Sequence, residues 1–315
     1  MNLVKIYVNQ LRIVSASFSM HHMYLLHRFI VLRLIKQLLN SLRVYGGHLV
    51  SDSNDVSQIQ FFGRNSFGEK GWIIYIPSDI AITRNILRNG CWEAREVEHL
   101  CKVACSNDQG VTLIDLGAHA GLVSLQLRNR CPKIKKFILV EPVPLHVDCI
   151  NLNFRAFNEN VTVLAKALAQ GNGVQKGYID SENRGNFSLE MLATKNRSEA
   201  LEVETMSASD FSKSLLLEDG KFVIKSDLQG FDSRVLNEFD SKFWERTEGR
   251  VIEIWSLENV DETATRNLVR KLTQHFSSWE IGLMDFEPRV YVTPEDLLSR
   301  WLDKGGSYTN LFLSK

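Results

Sequence analysis

The stretch Asp115-Leu116-Gly117-Ala118-His119-Ala120-Gly121 decides how this chain is read. It follows a β-rich run at 111–116 (VTLIDL) and precedes an apolar helical pattern over 120–129. A glycine directly after a strand permits a sharp turn and lets a ligand approach bare backbone, the part expected of Gly117. Gly121 lets the start of the following helix lie close against the strand. The amides of Ala118 and His119, at the helix start, favour negative charge on whatever binds there. Asp115, two residues before the first glycine, narrows the choice of ligand. A carboxylate in that position repels a diphosphate and attracts an ammonium. S-adenosylmethionine carries that ammonium and NAD does not.

Outward from this turn, strands and helices alternate. Strand 136–141 is followed by a helix at 145–157 and a strand at 161–166, and strand 221–227 by a helix at 231–238. Strand 250–255 precedes a helix at 261–276, with strands near 279–284 and 309–313. Upstream, 59–63 and 70–77 read as a hairpin around Asn65–Gly68, and 92–106 as a helix. Such alternation predicts βαβ units, hence an α/β fold with a mostly parallel, doubly wound, Rossmann-like sheet covered on both faces. Ligands of such sheets sit at the carboxyl ends of the strands. Glu141 ends the second strand there, where a carboxylate accepts the two ribose hydroxyls of an adenosine, and Pro142 stops the strand. Lys225 and Asp227, two apart, share a face at the end of the fourth strand. They are either a functional pair over the crevice or an ion pair that fixes the strand edge. Glu253 ends the fifth strand in the same way. The polar stretch 171–210, Trp255 and 285–305 are expected to supply the acceptor side.

The 315 residues include 44% hydrophobic and 23% charged, a globular balance with material for a core. Lys+Arg and Asp+Glu both number 37. No basic excess advertises a nucleic-acid partner. Residues 1–50 hold Lys5, Arg12, Arg28, Arg33, Lys36 and Arg43 and no acidic residue, which sets the N-terminus apart. Two domains are expected: an amphipathic helical extension, 1–57, and a catalytic-size body, 58–315. Within 23–42, Leu25, Phe29, Leu32, Ile35, Leu39 and Leu42 recur at helical steps, but Arg28, Arg33 and Lys36 interrupt a membrane span. This helix packs on protein, as a lid or a dimer contact, or lies on an anionic membrane as a peripheral contact. No secretory signal is expected, since no small-residue cleavage site follows a clean apolar run, so the Asn160, Asn186 and Asn196 sequons read as chance. The five cysteines, with no CxxC, point to packing and a reducing cytoplasm rather than disulfides or zinc, and no metal is expected. The expected location is therefore cytoplasmic, with membrane association through 23–42 as the variant reading.

Five motifs together carry a resemblance: IDLGAHAG (114–121), VEP (140–142), GNFSL (185–189), IKSDLQG (224–230) and IEI (252–254). In this order the chain resembles the FkbM-type S-adenosylmethionine-dependent methyltransferases from about residue 72 to 255, with GCWE (90–93) similar to a segment preceding the glycine motif. The resemblance implies a class I methyltransferase sheet of seven strands, the last antiparallel. It implies S-adenosyl-L-methionine as cofactor, bound through Asp115, Gly117, Ala118, His119, Gly121, Glu141 and Pro142. It also implies O-methylation of a hydroxyl on a sugar, glycan or natural product. Asp227 is expected as base or orienter, Lys225 as its polarising partner, and His119 as an alternative base. The chain departs from the pattern at His119, Val143 and Gln229, where relatives usually have Asn, Asn and Glu. Two other readings stay open: a cofactor-binding relative without catalysis, and an NAD-dependent oxidoreductase on a similar sheet.

Overall fold

The computed structural model describes residues 47–52, 55–61, 65–69, 71–157, 160–180, 183–190, 198–255, 261–282, 290–301 and 308–315. The helix expected over 23–42 lies outside them, as do 256–260, 283–289 and 302–307. Among the described residues no helix is long and apolar enough to cross a membrane.

Three antiparallel strands come first: β1 (Gly47–Asp52), β2 (Val56–Phe61) and β3 (Ile73–Pro77), in the order β1-β2-β3. The hairpin expected from 59–77 is there, closed at Asn65–Gly68 by an amide-to-carbonyl bond of 3.0 Å. β1 adds a strand that begins inside the stretch 1–57 read as extension. α1 (Ile80–Asn89) follows, absent from the sequence reading. It is capped by Asp79, which accepts from the Ile82 amide at 2.9 Å, and by Gly90 at a left-handed φ of 66°. α2 spans Ala94–Cys105.

β4 (Val111–Leu116) is buried at all six positions, as a central strand with both faces covered must be. Next come α3 (Leu122–Arg130), β5 (Ile134–Val140), α4 (Pro144–Phe154) and β6 (Val161–Leu164). Pro144 starts α4 because its missing amide hydrogen is not needed in a first turn. A second small sheet then forms from β7 (Ala167–Ala169), β8 (Gly173–Asp180), β9 (Phe187–Ser188) and β10 (Ser198–Ser207), in the order β7-β10-β8-β9. The polar stretch 171–210, expected as irregular, is largely this sheet. Its exposed faces carry Lys and Glu, which hid the alternation of Val203, Thr205 and Ser207 toward the body.

α5 (Ala208–Leu215) leads to β11 (Lys221–Ser226), α6 (Asp232–Asn237), α7 (Ser241–Arg246) and β12 (Thr247–Trp255). α8 (Glu262–Thr273), β13 (Ser278–Gly282), β14 (Val290–Tyr291) and β15 (Tyr308–Ser314) complete the described elements. The main sheet runs β14-β13-β15-β12-β11-β4-β5-β6. Strands β6, β5, β4, β11 and β12 pair in parallel in that order, and β15 lies antiparallel to both β12 and β13. This is the doubly wound, class I methyltransferase sheet expected from the sequence. It has eight strands rather than seven, because Val290–Tyr291 adds a two-residue edge to β13.

The strand order reverses at β4, with β5 and β6 on one side and β11 and β12 on the other. A switch point of this kind leaves a crevice at the carboxyl ends of the strands. Asn153 braces it from below: its Oδ1 accepts from the Tyr75 amide, and its Nδ2 donates to the carbonyls of Tyr75 and Ala120 at 2.7 and 2.8 Å.

Candidate active site

A cavity of about 970 Å³ opens at the switch point, within the upper range for small-molecule sites. Gly117, Ala118 and His119 line it from the turn after β4, Glu141 and Pro142 from the end of β5, and Lys225 and Asp227 from the end of β11. Asp115 and Gly121 do not line it.

Asp115 is fully buried, and its Oδ2 accepts from Ser124 Oγ at 2.6 Å. It staples β4 to α3 from behind the turn. Burial raises its carboxyl pKa, opposed by the Lys225 ammonium. The other oxygen of Asp115, Oδ1, is buried without a hydrogen-bond partner. Gly121 has a left-handed φ of 70°, and a Cβ there would lie 2.9 Å from the Phe154 ring and 3.2 Å from Leu139. Gly117 has a left-handed φ of 72°, and a Cβ would come within 2.0 Å of the Asp227 carbonyl oxygen. The glycine is required because the β11 turn passes over it, a cause beyond the ligand approach read from sequence. The Asp227 amide donates to the Leu116 carbonyl at 3.0 Å, which clamps the two strand ends together.

Glu141 receives more donors than its place in the sequence suggests. Its Oε2 accepts from the His119 amide at 2.9 Å, and its Oε1 accepts from the Val143 amide at 3.0 Å and meets His146 Nδ1 at 3.1 Å. A carboxylate has about four acceptor positions, so roughly one is left for a ligand hydroxyl rather than two. His146, in the first turn of α4, went unnoticed in the sequence. The signal for it was its position five residues after Glu141. Its ring meets His119 edge to face, 4.4 Å between centroids. Nε2 of each ring is buried without a hydrogen-bond partner. Burial first, then His146 and Lys225, holds the His119 pKa well below 6.5, so the ring is neutral at pH 7. His119 itself adopts a left-handed φ of 51°, where an asparagine would be less strained.

At the β11 end, Lys225 Nζ lies 3.3 Å from Asp227 Oδ2 and 3.6 Å from Glu93 Oε2. Burial alone would lower this ammonium. The carboxylates of Glu93, Asp227 and Asp115 outweigh it and raise Lys225 well above the usual lysine range. Glu93, at the start of α2, is pushed up to about 8, chiefly by burial, against the pull of Lys225. One ammonium therefore serves several carboxyl groups, and Lys225 keeps its charge. Gln229 Nε2 donates to Asp227 Oδ1 at 2.7 Å, so both oxygens of Asp227 face donors. Gln229 does this from a left-handed φ of 52°, with its carbonyl accepting from Ser188 Oγ at 3.1 Å. Asp232 pins the turn by accepting from Ser226 Oγ and the Leu228 amide. Glu253, at the end of β12, also lines the cavity. Burial first, then Asp227 and Asp232, raises its pKa well above the usual range, and Trp255 Nε1 donates to it at 2.8 Å. The floor is thus a run of carboxyl groups around one ammonium. Arg84, Arg88 and Arg95 also line the cavity; Arg84 and Arg88 are exposed, and Arg95 Nη1 is buried without a hydrogen-bond partner.

No family model matches the sequence, and no curated protein matches it. Among solved structures, the chain is similar to an S-adenosylmethionine-dependent methyltransferase from Agrobacterium tumefaciens at 9% identity and TM-score 0.40, covering 85% of this chain and 77% of that one. It is similar to the methyltransferase FkbM of Methylobacillus flagellatus KT at 13% identity and TM-score 0.37, covering 65% and 44%. It is also similar to a precorrin-6y C5,15-methyltransferase from Geobacter metallireducens GS-15 at 12% identity and TM-score 0.35, covering 70% and 86%. At these values none of the three assigns an activity or a substrate, and the fold stands on the strand order of the chain itself.

Proposed function

We propose that the chain is an S-adenosylmethionine-dependent methyltransferase that methylates a hydroxyl of a sugar, glycan or natural product. The observation that carries this reading is the convergence on one cavity of the Gly117 turn, Glu141 and the Lys225–Asp227 pair, from three adjacent parallel strands. The residues fit an adenosine cofactor. Glu141 offers its remaining acceptor position to a ribose hydroxyl, and the buried, unpartnered Nε2 of His119 offers a neutral polar atom toward the ligand. The cofactor would supply an electrophilic methyl carried on a sulfonium.

The chain's own work is to align a hydroxyl with that methyl, and such positioning contributes on the order of 7–11 kcal/mol to lowering the barrier. Asp227, held by Lys225 and Gln229, orients the hydroxyl and accepts its proton. General-base help of this kind amounts to about 10²–10⁴-fold. Lys225 fixes the carboxylate and keeps the floor from accumulating negative charge. Arg84 and Arg88, four apart on α1, and Arg95 bring positive charge to the cavity lining, which suits an acceptor that carries an anionic group.

The test is calorimetry with S-adenosylhomocysteine and NADH, followed by labelled-methyl transfer to a panel of sugars and lipid-linked glycans. Binding of S-adenosylhomocysteine alone, with transfer to one acceptor class, supports the reading. Binding of NADH instead moves the chain to the oxidoreductases. Cofactor binding with no transfer to any acceptor favours the non-catalytic relative, for which Gln229 on Asp227 is the observation to pursue.

A further inference from the structure

Three thiols meet outside the cavity. Cys101 and Cys105 stand one turn apart on α2, their sulfurs 3.9 Å apart. Cys131, the C-cap residue of α3, brings its Sγ to 3.0 Å from Cys105 and 3.8 Å from the Cys101 carbonyl oxygen. All three sulfurs lie within 4.8 Å of one another, and none of these residues lines the cavity. From the sequence, Cys101 and Cys105 read as packing because two thiols alone do not make a metal site; Cys131 supplies the third.

Packing does not require sulfurs to converge, and a disulfide would use two and leave the third. A soft cation uses all three. In a tetrahedral zinc site, Zn–S bonds of about 2.3 Å place sulfurs roughly 3.8 Å apart, close to the Cys101–Cys105 separation. The Cys105–Cys131 pair would open by less than ~1 Å, which a small χ1 rotation of the exposed Cys105 accomplishes. The surroundings favour a cation independently. α2 ends at Cys105 and Cys131 is the C-cap of α3, so two helix C-termini direct their partial negative charge at the cluster. Cys105 reaches solvent and supplies an entry path.

We propose that Cys101, Cys105 and Cys131 form a three-thiolate site for a thiophilic closed-shell cation, Zn(II) or Cu(I). Each S–metal bond forms as a thiol proton leaves to solvent, and no oxidation state changes. For Zn(II) a water completes the fourth position on the open side of Cys105.

The experiment uses the full chain, kept reduced by a phosphine under anaerobic conditions. It is titrated with Zn(II) against a chromophoric chelator and, separately, with Cu(I) against bicinchoninate. One equivalent should be taken from at least one chelator, and the tighter arm names the ion. Cd(II) substitution should give a sulfur-to-metal charge-transfer absorption scaled to three thiolates. Affinity should fall by about 100-fold or more in Cys105→Ser and Cys131→Ser, and stay unchanged in Cys91→Ser. The site is overturned if both chelators keep their metal. It is equally overturned if Cys101→Ser binds as tightly as the unaltered chain, or if binding persists in Cys105→Ser, which would place the ion on other groups.

Discussion

Two buried cations sit almost side by side in the main sheet and are handled in opposite ways. Lys225 on β11 pairs in register with Val251, and Arg250 on β12 pairs with Ile224, so the two side chains leave opposite faces of the sheet. Lys225 emerges among Glu93, Asp227 and Asp115 and gains charge stability from them. Arg250 is fully buried with no hydrogen-bond partner on any of its three guanidinium nitrogens, and burial lowers its pKa. It lies instead between two rings, 4.3 Å from the Trp244 centroid and 3.7 Å from that of Phe276. A guanidinium is planar and weakly hydrated, so stacking can replace part of its lost solvation, whereas an ammonium needs a counter-charge. The comparison teaches where the chain keeps reactive charge: on the face and at the strand ends that open into the cavity. The other face spends its buried charge on packing.

Removing the paired cation should have the largest effect. Lys225→Met leaves several carboxyl groups without an ammonium, so stability should drop by about 3–5 kcal/mol in urea unfolding. An unchanged midpoint would mean that the carboxyl groups simply take up protons and the pair is dispensable to the fold. Next in size, Asp227→Asn keeps shape and loses charge. Turnover should fall about 10²-fold or more while S-adenosylhomocysteine affinity holds, as read by single-turnover methyl transfer beside calorimetry. Near-normal turnover would move the proton acceptor elsewhere, with His119 next to be changed.

Glu141→Ala should weaken S-adenosylhomocysteine binding by roughly 1.5–3 kcal/mol. It also frees the His119 amide, the Val143 amide and His146, so a thermal melt of the ligand-free variant separates lost binding from a loosened turn. Arg250→Met tests the opposite face. Replacing an unpaired buried charge by an apolar side chain of similar length should be neutral or raise stability by about 1 kcal/mol or more, with turnover unchanged. A loss of several kcal/mol would show that the two rings hold Arg250 more strongly than stacking accounts for.

The smallest effect is in pH. His119 is neutral in the folded chain because its pKa is held down, whereas unfolded it titrates near 6.5. Below that value the unfolded chain binds the additional proton. This contribution to stability is therefore complete above about pH 6.5 and declines by up to about 1.4 kcal/mol per pH unit as pH falls. His119→Asn should remove that slope from urea midpoints measured across pH 5–7; an identical slope in the variant would assign it to another group.

How much of this was legible in the chain depends on the range of the interaction. The glycine turn, Glu141 at the second strand end and the Lys225–Asp227 pair are short-range features, and all three meet at the cavity. The surroundings of Asp115 were not legible, because spacing in a strand tells which face a side chain takes, while its neighbours Ser124 and Lys225 come from other elements. Glu93 gained its weight from Lys225, well over a hundred residues away, and His146 from a ring contact with His119. The strand at Ser198–Ser207 was hidden because a sheet with one solvated face carries too much Glu and Lys for its period to stand out.

By itself the sequence determined the parallel sheet, its direction of winding and the strand ends that face a ligand, since hydrophobic periodicity and turn glycines act over a few residues. Only the tertiary structure decided which carboxyl groups share the single ammonium of Lys225, which thiols converge, and that Gly117 is glycine because the Asp227 carbonyl crosses it. Those outcomes depend on desolvation and close approach between segments far apart in the chain, and neither quantity exists until the chain has folded.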